Sequence, residues 1–202
     1  MLAGQQSLLG WEEPAYTLAR GKRLALDGSA WLDVYRGAVA GHAALFQELA
    51  DGFRWRTMER RMYERTVAVP RLLAGCPEDG TLPPVLDALR LDLSARYRVD
   101  LCRVSLALYR DGRDSVAWHR DRELRDRATG TVAVLSLGGP RRFQLRPFGH
   151  KRGPARRLTV GGGDLVVTGG TCQRTWEHAV PKMGEARAAR AAPRIALMLR
   201  PD

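Results

Sequence analysis

In the stretch DSVAWHRDREL, His119 and Asp121 stand one residue apart, with Trp118 and Arg120 beside them. On an extended chain alternate side chains share a face, so this imidazole and this carboxylate would point the same way and Arg120 the other. On a helix they would not meet, because positions i and i+2 do not face each other. The pair is a useful metal donor set only on β structure. Alone it is a weak signal, since a solvated loop could hold the same residues by chance. A third donor strengthens it. The chain has four histidines, His42, His119, His150 and His178. His42 lies among alanines in a helical pattern, where packing explains it, and His150 lies in the basic loop PFGHKRG, where solvation does. His178 follows an apolar run that ends in two glycines, and from there the chain could return to the same place. Two histidines and one carboxylate leave coordination positions open, which is the donor set of non-haem Fe(II) oxygenases. Zinc is the competing metal. A zinc hydrolase would need a general base and often shows two histidines on one helix, and the chain has no HExxH pattern.

Near the C-terminus, PRIALMLRP places Arg194 and Arg200 six residues apart, an even number, so both face one side of a strand. Ile195, Leu197 and Leu199 make the other, core side. Two arginines on a buried side are costly without anions to pair with, and a dicarboxylate cosubstrate would supply two. The plainer alternative is a pair of surface arginines on an edge strand.

These residues need a scaffold. A chain of 202 residues, 45% of them hydrophobic, is long enough for one domain with a substantial core. Three scattered cysteines, Cys76, Cys102 and Cys172, argue against a disulfide framework and for a reducing compartment. The N-terminal stretch lacks the pattern of a signal peptide, and no apolar run is long enough to span a bilayer. We expect a cytoplasmic monomer without membrane contact. The net charge of +11 favours a polyanionic partner such as nucleic acid, although an indifferent basic surface would carry it too.

Helical spacing of Val39, Leu45, Leu49 and Phe53 predicts a helix over 37–53. Leu86, Leu89, Leu93 and Tyr97, after a pair of prolines, predict a second over 82–100. The period then changes to two in RVSLALY, TVAVLSLG, RRFQLRP and RIALMLR, with Gly-rich turn signals between the runs. The Gly-rich TVGGGDLVV lacks the lysine and following helix of a phosphate loop and reads as a tight turn. The expectation is an α+β, β-dominated fold, a helical first half packed on a β second half that forms a sandwich or barrel. In domain terms, residues 1–98 form an N-terminal extension with helices, and 99–202 form the β core.

With these pieces together, residues 100–201 are identified as similar to the AlkB family of Fe(II)- and 2-oxoglutarate-dependent dioxygenases. The resemblance rests on LYRDGRDSVAWHRDRE, VAVLSLGGPRRFQLRP, GDLVVTGGTCQRTWEHAVPK and PRIALMLRP. MYERTVAVPRL, residues 62–72, resembles the family's nucleotide lid less tightly. The resemblance implies a double-stranded β-helix, or jelly roll, buttressed by the N-terminal helices. It implies that His119, Asp121 and His178 bind Fe(II) and form the catalytic centre. It implies that Arg194 and Arg200 hold the carboxylates of the cosubstrate 2-oxoglutarate, with Tyr109 donating a hydrogen bond; the fork of arginine suits that task better than lysine. One position departs from the pattern. Family members usually carry Asn two residues before the tyrosine, and this chain has Ala107, on the same face as Ser105 and Tyr109.

The implied reaction repairs N-alkylated bases, 1-methyladenine and 3-methylcytosine, in DNA by oxidative demethylation. An RNA demethylase of the same fold is an alternative, and so is a catalytically weakened, basic jelly-roll module that binds nucleic acid. The alkylated atoms lie on the Watson–Crick edge, so the base must be extruded or single-stranded. Tyr63 and Trp55 are candidates to stack on it, or they cap the core. Residues 141–157 hold seven basic side chains and no acidic one, and a second basic cluster runs from Arg54 to Arg71. From these, Arg65, Arg71, Arg141, Arg142 and Arg146 are candidate nucleic-acid contacts. Trp118 and Trp176, next to the metal donors, are expected to pack the barrel.

Overall fold

Strand alternation builds most of the molecule. In the computed structural model, residues 13–62, 65–76, 81–150 and 155–202 are described. The strands are β1 (Ala15–Tyr16), β2 (Gly21–Ala25), β3 (Ala30–Tyr35), β4 (Val39–Ala40), β5 (Arg56–Met62), β6 (Arg65–Cys76) and β7 (Arg103–Tyr109). They continue as β8 (Val116–His119), β9 (Val132–Gly138), β10 (Arg141–Pro147), β11 (Arg156–Val160), β12 (Leu165–Gly170), β13 (Trp176–Val180) and β14 (Arg194–Arg200). Helices α1 (His42–Gly52), α2 (Pro84–Tyr97), α3 (Cys172–Thr175) and α4 (Glu185–Ala188) complete the chain.

The larger sheet has eight strands in the order β2-β3-β12-β9-β14-β7-β6-β5, and the smaller has four, β11-β10-β13-β8. Neighbours in both pair antiparallel. One core lies between the larger sheet and the two long helices. It joins Leu45 and Leu49 of α1 and Leu86, Leu89 and Leu93 of α2 to Ile195, Leu197 and Leu199 of β14. A second core lies between the sheets and includes Ala107, Tyr109, Phe143, Leu145, Trp176 and Ala196. This is the double-stranded β-helix with helices on one sheet.

The expected picture of a helical first half needs correction. The first 98 residues also supply β2, β3, β5 and β6, four of the eight strands of the larger sheet. Their sequences are short or charged, as in RTMERRM, so period two is hard to see in them. Helix α1 begins at His42 rather than at 37, because Gly41 sits in the left-handed region (φ 61°) and Val39–Ala40 pair with β1. Helix α2 ends at Tyr97, where Arg98 turns left-handed (φ 53°) and the chain closes with Val99 N donating to Ser94 O. The Gly161–Asp164 run is a tight turn between β11 and β12. Gly163 (φ 82°) lies so close to Val39 that a Cβ there would stand 2.1 Å from its carbonyl oxygen.

Candidate active site

Strand β14 sits in the middle of the larger sheet between β9 and β7, not at an edge. Both its faces are covered, and this settles what its arginines must do. Arg194 is 1% exposed. Its Nε and Nη2 donate to Ser136 Oγ of β9, at 3.3 and 2.7 Å, and its Nη1 is buried with no partner. Arg194 is cross-strand from Tyr109, and its guanidinium carbon lies 5.2 Å from the phenol ring centroid. Burial pulls its pKa below the ordinary value. Arg200, half-buried, donates from Nε to Asp121 Oδ2 at 2.7 Å and from Nη1 to Ser105 Oγ at 2.7 Å.

Strands β8 and β13 bring the two histidines together, since His119 and His178 are directly paired in the antiparallel ladder. Asp121 follows β8, its backbone N–H donating to Gln173 Oε1 of α3 at 3.0 Å. Ligand-type atoms of His119, Asp121 and His178 all lie within 4.8 Å of one another, and each histidine Nε2 is 3.8 Å from Asp121 Oδ1. His119 Nδ1 lies 2.9 Å from Ala117 O and 3.1 Å from His178 O. A proton on Nδ1 is donated there, which leaves the Nε2 lone pair facing Asp121. Burial keeps both imidazoles neutral, lowering the pKa of His119 and taking that of His178 down to about 3. Burial alone would raise the Asp121 carboxyl. The Arg200 guanidinium, bonded to it, outweighs burial and holds the group below the usual carboxylate range. Two neutral imidazoles and one carboxylate are the protonation states that a divalent cation needs.

A cavity of about 400 Å³ is lined by these three residues together with Tyr109, Arg194 and Arg200. The donor set therefore fits Fe(II), and the buried, unpartnered Arg194 Nη1 fits a carboxylate of 2-oxoglutarate. Ala107 also lines the cavity, cross-strand from Ala196 and Leu73. From β5 and β6 come Met58, half of whose surface is exposed, and Arg71, which donates to Ser115 O at 3.1 Å.

The other expected contacts divide. Arg141 is a correction: it is 2% exposed and donates to the backbone oxygens of Asp111, Asp114 and Pro181, so it is no surface contact for a phosphate. Alternation along β10 turns Arg141, Phe143 and Leu145 inward, with Arg142 and Arg146 on the outer face. Arg142 is exposed. Arg146 pairs with Glu177 and lies with its guanidinium carbon 4.1 Å from the Trp118 ring centroid. Trp118 is thus on the outer face of the smaller sheet, not inside it, while Trp176 is buried and donates to Asp27 Oδ2 at 2.6 Å. Trp55 packs on the helical core and donates to Ala50 O, which makes it a core cap rather than a base-stacking residue. Tyr63 lies outside the described residues, and of Arg65 only the backbone is described, in β6. His150 is exposed in its loop. Sequence reading missed Ser136, although a serine inside the apolar run TVAVLSLG was a visible signal; it pairs opposite Ala196. It also missed Met58, for which the sequence offered none.

A family model described as the 2OG-Fe(II) oxygenase superfamily matches residues 52–200. The chain is 27% identical over 179 residues to "Alpha-ketoglutarate-dependent dioxygenase alkB homolog 3" of Bos taurus, covering 78% of this chain and 60% of that protein. It is 32% identical over 103 residues to "DNA oxidative demethylase ALKBH2" of Arabidopsis thaliana, covering 41% of this chain and 33% of that protein. The chain thus spans between a third and three fifths of the length of these relatives. The solved structure titled "The structure of OsALKBH1" superposes with a TM-score of 0.59 at 13% identity, over 90% of this chain and 100% of that one. That likeness is one of fold.

Proposed function

The chain belongs to the 2OG-Fe(II) oxygenase superfamily, and on that footing we propose that it is an AlkB-type dioxygenase that removes N-linked alkyl groups from bases in DNA. His119, Asp121 and His178 would hold Fe(II). Arg194, with Tyr109, would take the distal carboxylate of 2-oxoglutarate, and Arg200 orients Asp121 and would lend its charge to the other carboxylate. When bound, the iron supplies the oxidising step: 2-oxoglutarate, O2 and an N-methyl base become succinate, CO2 and an N-hydroxymethyl base, which releases formaldehyde. The protein residues hold the reactants in register and exclude water. The observation that carries the reading is the junction, in one cavity, of the His-Asp-His cluster and a buried guanidinium with an unpartnered N–H.

The nucleic-acid side of the proposal rests on the net charge of +11, the exposed Arg142, and Arg71 and Met58 on the cavity wall. The names of the relatives point the same way, one of them a DNA oxidative demethylase. Tyr63, Arg65 and Arg146 stay in the proposed nucleic-acid surface, with Arg146 acting beside Trp118. The test is turnover of matched DNA and RNA oligonucleotides carrying 1-methyladenine or 3-methylcytosine, followed by succinate and formaldehyde release. Release of both with DNA supports the proposal. Turnover of RNA alone transfers it to the RNA demethylase, and succinate release uncoupled from demethylation refutes it.

A further inference from the structure

Two of the three buried side-chain atoms without a hydrogen-bond partner, among the described residues, are guanidinium nitrogens beside one phenol: Arg194 Nη1 and Arg141 Nε. The guanidinium carbons of Arg141 and Arg194 lie 5.3 and 5.2 Å from the Tyr109 ring centroid. Arg194 lines the cavity and Arg141 does not. The carboxylates whose charge reaches Arg141 are engaged elsewhere. Asp114 accepts a two-pronged hydrogen bond from Arg110, and Asp111 accepts from Arg113. Arg141 instead donates to backbone oxygens at Asp111, Asp114 and Pro181. Asp111 and Asp114 belong to the connection from Tyr109 at the end of β7 to His119 at the end of β8, and Pro181 follows His178 of β13 by three residues.

One guanidinium therefore ties down the segments that carry the phenol and both histidines. It also places a second positive charge near the first, with no buried carboxylate bonded to either. Such an arrangement is costly unless an anion pairs with it or other bonds offset it. We propose that Arg141 is a positioning residue of the cosubstrate site, fixing Tyr109 and adding its charge to that of Arg194 so that the cavity selects a 2-oxo acid with a distal carboxylate. The proposal rests on the function proposed above. It makes the arginine of the GGPRRF stretch part of the reaction's binding machinery rather than of the nucleic-acid surface.

The test is calorimetric titration of the full chain loaded with Mn(II), which reads binding without turnover. The probes are 2-oxoglutarate and 2-oxopentanoate, which has the same chain length and no distal carboxylate. Arg141→Lys keeps a charge and loses the fork; Arg141→Met loses both. Arg141→Lys should weaken 2-oxoglutarate by about tenfold, the worth of the hydrogen bond that a misplaced Tyr109 no longer gives the charged cosubstrate. The methionine variant should weaken it further. Affinities for 2-oxopentanoate and Mn(II) should fall much less than that for 2-oxoglutarate in both. Unchanged 2-oxoglutarate affinity in either folded variant overturns the proposal. So does a parallel loss for both 2-oxo acids and the metal, which would mark a purely structural arginine. Failure of the wild-type chain to bind 2-oxoglutarate at all would instead overturn the dioxygenase reading beneath it.

Discussion

Arg194→Met should make the ligand-free protein more stable and nearly blind to 2-oxoglutarate. The side chain is 1% exposed, leaves Nη1 unpartnered, and stands near the equally buried Arg141. Removing a buried unsatisfied donor relieves about 1–3 kcal/mol. Methionine refills the space with a flexible apolar chain, and the repulsion from Arg141 disappears. Against this, Ser136 Oγ loses the donors it accepts from, at a cost of about 1 kcal/mol. The balance is a gain of about 1–2 kcal/mol, which for a chain of this size raises Tm by roughly 2–8 °C.

Binding should move the other way. With Mn(II) present and 2-oxoglutarate at about 100 times its Kd, the wild-type protein gains about 2.7 kcal/mol, a Tm rise of roughly 5–10 °C. Loss of a charge-assisted pair worth about 3 kcal/mol weakens the ligand on the order of a hundredfold. At the same concentration the variant then gains only about 0.4 kcal/mol, a shift of roughly 1–2 °C. Differential scanning calorimetry of both proteins, with and without ligand, reads all four states. A variant that melts lower than wild type yet keeps the full ligand shift would refute the assignment of Arg194 as a strained cation waiting for a carboxylate.

His178→Ala should abolish turnover and Mn(II) binding while far-ultraviolet circular dichroism stays that of wild type; retained wild-type activity would break the triad. Ala107→Asn, on the cavity wall one pleat from Tyr109, should lower the half-saturating 2-oxoglutarate concentration by about tenfold and change maximal turnover less. Equal or weaker affinity would show that nothing is missing at Ala107. Arg142→Gln should reduce the slope of log affinity against log salt for single-stranded DNA by about 0.7, the share of one phosphate contact. An unchanged slope would leave Arg142 a solvated side chain.

The site was more legible in the sequence than the first half of the fold. The His119–Asp121–His178 cluster and the Arg194–Arg200 pair were readable because they sit on or beside strands whose alternation assigns a face without knowledge of the partner strand. The strand RIALMLR shows this best: its apolar residues met the helices and its arginines faced the inter-sheet cavity, as spacing required. The strands of the first half carry no such rule. β5 reads RTMERRM, with charges at consecutive positions, and it is held by pairing with β6 rather than by an apolar face of its own. Such a strand is defined by its neighbour, which a linear reading does not contain.

Arg141 shows the same physics misapplied. Counting basic residues from 141 to 157 treats a charge run as one surface, but the run passes through β10, and a strand divides consecutive side chains between two faces. The faces could have been told apart. In RRFQLRP the residues at Phe143 and Leu145 mark the inward side, and Arg141 stands in step with them while Arg142 and Arg146 do not. A charged residue turned toward the space between two sheets is costly to bury, and Arg141, Arg194 and Arg200 are each bonded there. Arg194 holds Ser136 beside the cavity, and Arg200 holds Asp121. Arg141 bonds the backbone of Asp111 and Asp114, between β7 and β8, and of Pro181, after β13. On β10, the phase of a charge relative to its strand, and not the local density of charge, separates the buried Arg141 from the outward Arg142 and Arg146.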